Sequence, residues 1–342
     1  MDDSQCHHKF IKECLSMVKV AMLISAVSLL SLFGCSQQDV HTGTSELALS
    51  HSDNIIAASA LSKDGQLNLV ADGKTVCLWS KKQVKSPLHC LMGNDAQFIE
   101  LLDISENNQF YLVSNQVSVR LYSMQSNKHI GEWQVADNII NDMDISANGS
   151  KILLGFRSGK ASIIDVKRNK VSTFDKHRLD INSVSLSDDG EIALTGSSDK
   201  KARLWKTGSG ENVQEFSHGS RVNHVKISGD AKVVFTLDAI KDRTFWDSST
   251  GKVLAELDTS LRFFEFNDSL FSADNSLLLT GSPKQVIKLW RVSDGALVAE
   301  WQSEMTRGRS SILSVAYLAH DKIVTTNSDG LFEQWQLPNP SE

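Results

Sequence analysis

The stretch DKHRLDINSVSLSDDGEIALTGSSDKKARLW, residues 175–205, decides the fold of this chain. It contains an apolar segment, a Ser-Asp-Asp-Gly turn, a second apolar segment, and a last segment that ends in Leu-Trp. Short apolar runs separated by turn residues are typical of β-strands. Equivalent last segments recur along the chain and can be aligned by their final residues, which are Trp79, Tyr122, Ile164, Trp205, Trp246, Trp290 and Trp335.

The spacing of these positions is nearly constant, with successive gaps of 43, 42, 41, 41, 44 and 45 residues. Each unit also contains three further strand-like segments, such as VNHVKIS at 222–228, KVVFTL at 232–237 and ENVQEF at 211–216. Four short strands in roughly 40–45 residues make one blade of a β-propeller. The sequence therefore predicts an all-β fold with seven blades.

The repeat resembles the WD-repeat family from about Ser45 to Leu337, and residues 175–205 match that family's pattern most completely. The resemblance implies a structural tetrad, in which hydrogen bonds join an entry loop, the second strand, a turn and the third strand of one blade. Its members here are His177, Thr195, Asp199 and Trp205. The aromatic residues expected to anchor the blades are Trp79, Tyr122, Trp205, Trp246, Trp290 and Trp335. Other units depart from the pattern, since the fifth has Ile240 where the tetrad Asp would fall.

The ends of the repeat predict how the ring closes. The chain stops soon after Trp335, so the seventh blade lacks an outer strand, and SELALS at 45–50 can supply it. This pairing would remove an open sheet edge. Only four prolines and no low-complexity run occur, which favours one domain at 45–337 followed by a short tail at 338–342. We expect a monomeric ring.

The N-terminal region has the pattern of a signal peptide. Residues 21–33 are apolar, follow Lys19 and end at Gly34-Cys35. The run is shorter than the ~20 residues that a transmembrane helix needs. Leu32 to Cys35 resembles a bacterial lipobox, which implies removal of 1–34, a lipid on Cys35 and a tether at 35–44. An ordinary cleaved signal with a chance cysteine is the alternative. Ser36 after the cysteine implies, by the same resemblance, the outer membrane with the domain facing the periplasm.

The first sixteen residues fit a signal peptide poorly because they mix acidic and basic side chains. A leader that starts at Met17 has a compact basic end, so we expect translation to start there. Cys6, His7, His8 and Cys14 resemble a metal cluster in composition, but they would be removed with the leader. No metal site is expected.

Two cysteines remain in the mature chain besides Cys35. Cys77 precedes Trp79 by two residues and Cys90 lies on the following strand. A hairpin that turns midway between them, near Gln83 and Val84, would place them opposite each other, where an oxidising periplasm would preserve a disulfide. Position 90 also matches apolar packing positions in other units, so two unpaired thiols are the alternative.

The loops that enter the blades carry an uneven charge. Arginines precede blades four to seven, namely Arg178, Arg221, Arg262, Arg307 and Arg309. Aspartates precede blades one to three, namely Asp53, Asp95 and Asp137. A basic arc beside an acidic arc would orient an asymmetric partner. Solvated loops also collect such residues by chance.

The sequence favours binding over catalysis. It has no Gly-x-Ser-x-Gly elbow, His-Glu-x-x-His pair, P-loop or calcium loop, so no enzyme activity and no cofactor are expected. The formal charge of -6 disfavours nucleic acid as a partner. The leading hypothesis is a membrane-anchored scaffold that binds other proteins of the cell envelope.

Two other functions stay open. DSSTGKVLAEL (247–257) and VSDGALVAEW (292–301) resemble hairpins of quinoprotein-like propellers, which would imply a periplasmic enzyme or ligand sensor. A role in the outer-membrane protein assembly machinery rests only on location and propeller shape, and it ranks below the other two.

Overall fold

The computed structural model describes residues 40–338 except 84, 97, 136–137, 260–264, 305 and 320. Several predictions lie outside the described residues, namely those on the signal peptide, Met17, Cys35, Ser36, the first half of the tether (35–39) and the tail after residue 338.

The chain enters through two short strands, β1 (His41–Gly43) and β2 (Leu47–Ser50). Blade 1 consists of β3 (Ala58–Leu61), β4 (Leu67–Ala71), β5 (Thr75–Ser80) and β6 (His89–Met92). After a 3₁₀ helix at Gly93–Ala96, blade 2 consists of β7 (Leu101–Ile104), β8 (Phe110–Ser114), β9 (Ser118–Ser123) and β10 (His129–Gln134). Blade 3 consists of β11 (Ile140–Ile145), β12 (Lys151–Phe156), β13 (Lys160–Asp165) and β14 (Lys170–Asp175).

The remaining blades follow the same order. Blade 4 consists of β15 (Ile181–Leu186), β16 (Ile192–Ser197), β17 (Lys201–Lys206) and β18 (Asn212–Ser217). Blade 5 consists of β19 (Val222–Ile227), β20 (Val233–Asp238), β21 (Arg243–Asp247) and β22 (Val253–Glu256). Blade 6 consists of β23 (Asp268–Phe271), β24 (Leu277–Gly281), β25 (Val286–Arg291) and β26 (Leu297–Gln302). Blade 7 consists of β27 (Ile312–Leu318), β28 (Lys322–Asn327), β29 (Leu331–Gln336) and β2.

The predicted seven-bladed β-propeller is confirmed, and so is its closure. Within every blade the neighbouring strands are antiparallel and run in chain order from the first strand outwards, with β2 as the exception. β2 pairs antiparallel with β29, so that Leu47 lies opposite Gln334 and Ser50 lies opposite Leu331. The first and last parts of the propeller are therefore hydrogen-bonded in one sheet.

The segment before β2 differs from the prediction. β1 pairs in parallel with β26, the outer strand of blade 6, with His41 opposite Ala299 and Gly43 opposite Trp301. β1 therefore lies within residues 35–44, the range predicted for the tether. An outer strand has unpaired backbone N–H and C=O groups, and β1 satisfies some of them.

The turn between the first and second strands is built in the same way in most blades. In blade 4, Ser187 Oγ donates to Asp189 Oδ1 (2.6 Å), which also accepts from Glu191 N (2.8 Å), and Gly190 has φ +73°. Serines take the first position in the corresponding turns of five other blades, namely Ser62, Ser105, Ser146, Ser228 and Ser272. These side-chain bonds fix the register between the two inner strands.

The core lies between blades. One cluster combines Leu194 and Leu204 of blade 4 with Val222 and Val225 of blade 5. The sheets approach so closely that a Cβ added to Gly196 would lie 2.6 Å from Val225 Cγ1. Each blade therefore buries its faces against its neighbours, as in other repeat architectures.

Candidate interaction face

One end of every blade carries both the loop that enters its first strand and the turn between its second and third strands, because neighbouring strands are antiparallel. We call the surface formed by these segments the entry face. The described residues of its loops are 51–57, 93–96, 98–100, 135, 138–139, 176–180, 218–221, 257–259, 265–267, 303–304 and 306–311. Its turns are 72–74, 115–117, 157–159, 198–200, 239–242, 282–285 and 328–330.

The structure places part of the predicted charge pattern on this face. The exposed members of the predicted basic arc are Arg178, Arg221, Arg307 and Arg309. Asp53 is exposed as well. Arg262, Asp137 and the side chain of Asp95 lie outside the described residues, so the two arcs are seen only in part.

The turns add cations that the sequence prediction missed, because it considered only the entry loops. The exposed ones are Lys74, Arg157, Lys200, Lys241 and Lys284. Lys74 and Arg157 belong to blades 1 and 3, where only aspartates were expected, so the division into arcs is less sharp than predicted. The exposed carboxylates on the described part of the face are Asp53, Glu100, Asp258, Glu265 and Glu304. Exposed cations outnumber them, although the chain is acidic overall.

Large apolar side chains are also exposed on the entry face. They are Ile55, Phe98, Val117, Leu179 and Ile240. Phe98 is 80% exposed and Ile55 is 66% exposed, and Phe98 has φ +59°, a strained backbone conformation for a bulky residue. Val117 and Arg157 line a shallow groove of about 480 Å³ between blades 2 and 3. Exposed apolar side chains rimmed by charge are typical of binding surfaces.

The predicted tetrad of blade 4 is only partly assembled. His177 Nδ1 lies 3.0 Å from Asp199 Oδ1 and its Nε2 lies 2.8 Å from Thr195 Oγ1. The carboxylate selects the tautomer in which Nδ1–H donates to Asp199 and Nε2 accepts from Thr195. Trp205 is buried, but its Nε1 has no hydrogen-bond partner among the described residues. Three of the four predicted members are therefore linked, and Trp205 contributes by packing, with Lys176 Nζ 4.7 Å from its ring centre.

Burial explains the charge state of this group. Desolvation lowers the pKa of His177 to about 4, and nearby Arg203 and Lys176 act in the same direction, against the effect of Asp199. The imidazole is therefore neutral at neutral pH. A Ser or Thr, a His and an Asp in hydrogen-bond contact resemble a catalytic triad in composition, but the Thr195 hydroxyl is fully buried and contacts His177 inside the blade. Their arrangement is that of a structural link.

The other predicted anchor aromatics lie inside their blades and make different contacts. Trp79 stacks on His51 with ring centres 4.6 Å apart, and Tyr122 stacks on Tyr111 at 5.1 Å. The tryptophan Nε1 atoms of blades 5 to 7 donate to a threonine hydroxyl in the second strand, the pairs being Trp246 with Thr236, Trp290 with Thr280 and Trp335 with Thr325. The indole of blade 4 lacks this bond, whereas those of the later blades have it.

The two remaining cysteines are brought together. Cys77 on β5 lies directly opposite Cys90 on β6, with Cα atoms 4.1 Å apart, and a disulfide joins them. Of the two alternatives that the sequence left open, the structure contains the bridge. It ties the two outer strands of blade 1.

The central channel, about 640 Å³ in volume, is lined by acidic side chains that the sequence prediction did not single out. Asp142 Oδ1 accepts from Met143 N (2.9 Å) and its Oδ2 from Val184 N (2.7 Å) of the next blade. Three further carboxylates bridge to the next blade in the same way, namely Asp103, Asp144 and Asp268. Because these bonds use backbone groups of neighbouring inner strands, the carboxylates join blades.

Lys226 offsets part of the negative charge of the carboxylates in the channel. Burial and the nearby carboxylate of Asp144 raise the pKa of Asp142 to about 7. Burial alone would lower the pKa of Lys226, but Asp144, Asp268 and the other channel carboxylates raise it above its ordinary value. Lys226 is therefore charged and offsets the surrounding carboxylates.

A family of known proteins matches this chain over more than half of its length. The model of the nucleolar protein 10-like N-terminal domain, a β-propeller, matches residues 64–251, just over half of the chain. The chain belongs to this family.

Similar proteins include a WD-repeat protein and two other proteins of animals and yeast. "WD repeat-containing protein SL1-17" of Schistosoma mansoni is 27% identical over 95 residues, which cover 28% of this chain and 32% of that protein. Apoptotic protease-activating factor 1 of Danio rerio is 26% identical over 154 residues, or 44% of this chain and 12% of that protein. U3 small nucleolar RNA-associated protein 12 of Saccharomyces cerevisiae is 24% identical over 109 residues, or 31% of this chain and 11% of that protein. The chain spans about a third or less of the length of these relatives.

The comparisons support the WD-repeat resemblance and the propeller fold of this nucleolar protein 10-like domain. The matched region runs from the first turn of blade 1 into the last turn of blade 5, and it includes the linked residues of blade 4. Within the part of the chain that the structure describes, no helix has the length and apolar character needed to cross a membrane.

Proposed function

We propose that this nucleolar protein 10-like propeller is a noncatalytic scaffold that binds other proteins through its entry face. WD-repeat propellers are typically noncatalytic interaction scaffolds, and the similar proteins support that general role. The observation that carries the proposal is the combination of exposed apolar side chains, above all Phe98 and Ile55, with surrounding cations on one face. Aromatic residues and arginines are the residue types that most often dominate binding energy in protein interfaces.

The chemistry of the face indicates what the partner presents. Arg178 precedes exposed Leu179, and exposed Ile240 precedes Lys241, so cations and apolar groups alternate at short range. A complementary surface would carry carboxylates around apolar pockets. Electrostatic attraction would accelerate encounter and set orientation, while the buried apolar contacts would set the lifetime of the complex.

Location in the bacterial cell envelope is part of the proposal and rests on the N-terminal sequence. Leu32 to Cys35 resembles a lipobox, and Ser36 favours the outer membrane with the domain facing the periplasm. The partners would then be other envelope proteins, and a lipid on Cys35 would hold the scaffold at the membrane. A palmitate analogue should label the wild-type protein and leave Cys35→Ala unlabelled in cells; equal labelling would contradict the anchor.

The interaction is tested by capture from crosslinked cell envelopes. The variant Arg178→Glu with Arg221→Glu reverses two exposed charges of the entry face and should lower the yield of captured partners at least tenfold. Phe98→Ser removes the most exposed apolar side chain and should lower the yield separately. The matched control is Lys170→Glu with Lys252→Glu, which makes the same charge change at the opposite end of the blades.

The control should capture as much as the wild type. Circular dichroism and thermal denaturation should show all variants folded, because each changed side chain is exposed. Equal capture by the wild type and both entry-face variants would reject this face as the binding surface.

A further inference from the structure

Three potential metal ligands meet in blade 5 on the entry face. His218 lies in the loop before β19, Asp238 is the last residue of β20, and Asp242 immediately precedes β21. One ligand atom from each of the three residues lies within 4.8 Å of the others. The loop and the turn that carry them are separated by a whole hairpin in sequence, so the fold brings them together.

The ring of His218 packs edge-on against Trp246, but its two nitrogens make no polar contact. Neither ring nitrogen has a hydrogen-bond partner among the residues that the structure describes, and both nitrogens are shielded from solvent. In a neutral imidazole one of these nitrogens has a lone pair that can bind a cation. Buried polar groups are nearly always paired, so such a nitrogen indicates a missing partner.

The two carboxylates are fixed in position by backbone groups. Asp238 Oδ1 accepts from the N–H groups of residues 240, 241 and 242, and its Oδ2 accepts from Ser220 N (3.0 Å). Asp242 Oδ2 accepts from Gly219 N (3.1 Å). Burial would raise the pKa of Asp238, but its hydrogen bonds to backbone N–H groups lower it, so the group is ionised. Oδ1 of Asp238 has no lone pair left, but its Oδ2 accepts only one bond, so Oδ2 and the Asp242 carboxylate can still bind a cation.

We propose that His218, Asp238 and Asp242 bind a divalent transition-metal ion, Zn²⁺ in particular. One imidazole nitrogen and two carboxylate oxygens are ligands that Zn²⁺ accepts, and the imidazole disfavours Mg²⁺ and Ca²⁺, which prefer oxygen. Two carboxylates balance the charge of the ion. A water molecule would complete a tetrahedral shell.

The site would connect two segments of the entry face. The ion would join the loop that carries Arg221 to the turn that carries Ile240 and Lys241, both exposed. It would replace in blade 5 the link that His177 and Asp199 make in blade 4. The inference does not rest on the proposed binding function, since it is argued from the placement of the three ligands alone.

Calorimetric titration of the full-length, metal-free protein with Zn²⁺ tests the site. His218→Phe keeps an aromatic ring of similar volume but removes the nitrogen ligand. Asp242→Asn keeps the shape of the side chain but replaces the carboxylate by an amide, which is a weaker metal ligand. Cys6, His7, His8 and Cys14 could bind Zn²⁺ in the same chain, so the readout is the difference in stoichiometry. We expect wild type to bind one equivalent more than His218→Phe, and Asp242→Asn to bind that equivalent at least tenfold more weakly.

The control is His129→Phe, which changes an exposed histidine on an outer strand and should retain the wild-type stoichiometry. Mg²⁺ at the same concentrations should not occupy the site. Circular dichroism shows whether the variants are folded. If His218→Phe does not fold, the comparison between wild type and Asp242→Asn tests the site. Equal Zn²⁺ binding by wild type and the folded variants would overturn the proposal, whatever the outcome for partner capture.

Discussion

Blades 4 and 5 share a repeat pattern, but different polar contacts stabilise the loops and strands within each of them. His177 and His218 occupy the same position, 28 residues before Trp205 and Trp246. In blade 4 the histidine bonds to an aspartate and a threonine, and the tryptophan Nε1 has no hydrogen-bond partner among the described residues. In blade 5 the tryptophan donates to Thr236, and the histidine nitrogens stand beside two carboxylates without a bond.

The difference shows that the propeller does not need one fixed set of polar bonds in every blade. The apolar cluster between the two blades is continuous across both arrangements. Because packing between neighbours supplies most of the stability of repeat proteins, the polar link of a single blade is free to diverge. Divergence at one position then leaves a buried histidine available for another role.

The largest expected effect comes from replacing His177 by phenylalanine, and His218→Phe is the comparison in blade 5. His177→Phe leaves Asp199 and the Thr195 hydroxyl without their buried partner, which should lower the free energy of unfolding by about 3 kcal/mol. His218→Phe removes no hydrogen bond and should cost less than about 1 kcal/mol in the presence of a chelator. Urea denaturation at pH 7.5 measures both. Equal losses of unfolding free energy would show that the two histidines stabilise their blades to the same extent.

The stability of wild type should depend more strongly on pH than the stability of His177→Phe. Burial lowers the pKa of His177 to about 4, from an ordinary value of 6.5. Below pH 6.5 the unfolded chain takes up a proton that the folded chain does not take up until about pH 4, so stability falls over this interval. The advantage of wild type over His177→Phe should shrink by about 2 kcal/mol between pH 7.5 and 4.5.

Other buried histidines titrate in both proteins, so only the difference between them is informative. Urea midpoints measured in the same buffers from pH 7.5 to 4.5 provide it. A constant difference over this range would mean that the His177 pKa is not depressed in the folded protein.

The smallest expected effect lies in the turns between the two inner strands. Gly190 in blade 4 has φ +73°, and Ala231 occupies the same turn position in blade 5 with φ +58°. Ala231→Gly should relieve strain and raise stability by roughly 0.5–1 kcal/mol, whereas Gly190→Ala should lower it by about 1–2 kcal/mol. Thermal denaturation measures both. A destabilising Ala231→Gly would indicate that the alanine methyl group packs favourably.

The sequence predicted much of the fold because the repeat is local and periodic. Strands end at fixed offsets from each aromatic residue, and the missing outer strand of the seventh blade had one obvious substitute in residues 45–50. The opposite placement of Cys77 and Cys90 also followed from hairpin geometry, although the bond itself was one of two alternatives. The missing hydrogen bond of Trp205 Nε1 could not be predicted, because it depends on how the indole is oriented in the packed blade.

The candidate site was less accessible to sequence reasoning. The entry loops indicated arginines, but Lys74, Arg157 and Lys200 lie in turns between second and third strands, and they reach the same face only because neighbouring strands are antiparallel. The exposure of Phe98 could not be distinguished from burial, since an isolated phenylalanine in a loop fits either.

The sequence by itself determined the number of blades, the order of their strands and the strand that closes the ring, because each of these depends on a period or on a missing element. Only the tertiary structure decided that β1 pairs with blade 6 and that His218 meets Asp238 and Asp242. These contacts join segments distant along the chain through sheet edges and loop ends, and no periodicity of side chains encodes such proximity. Their energetics depend on burial, which exists only after the blades have packed together.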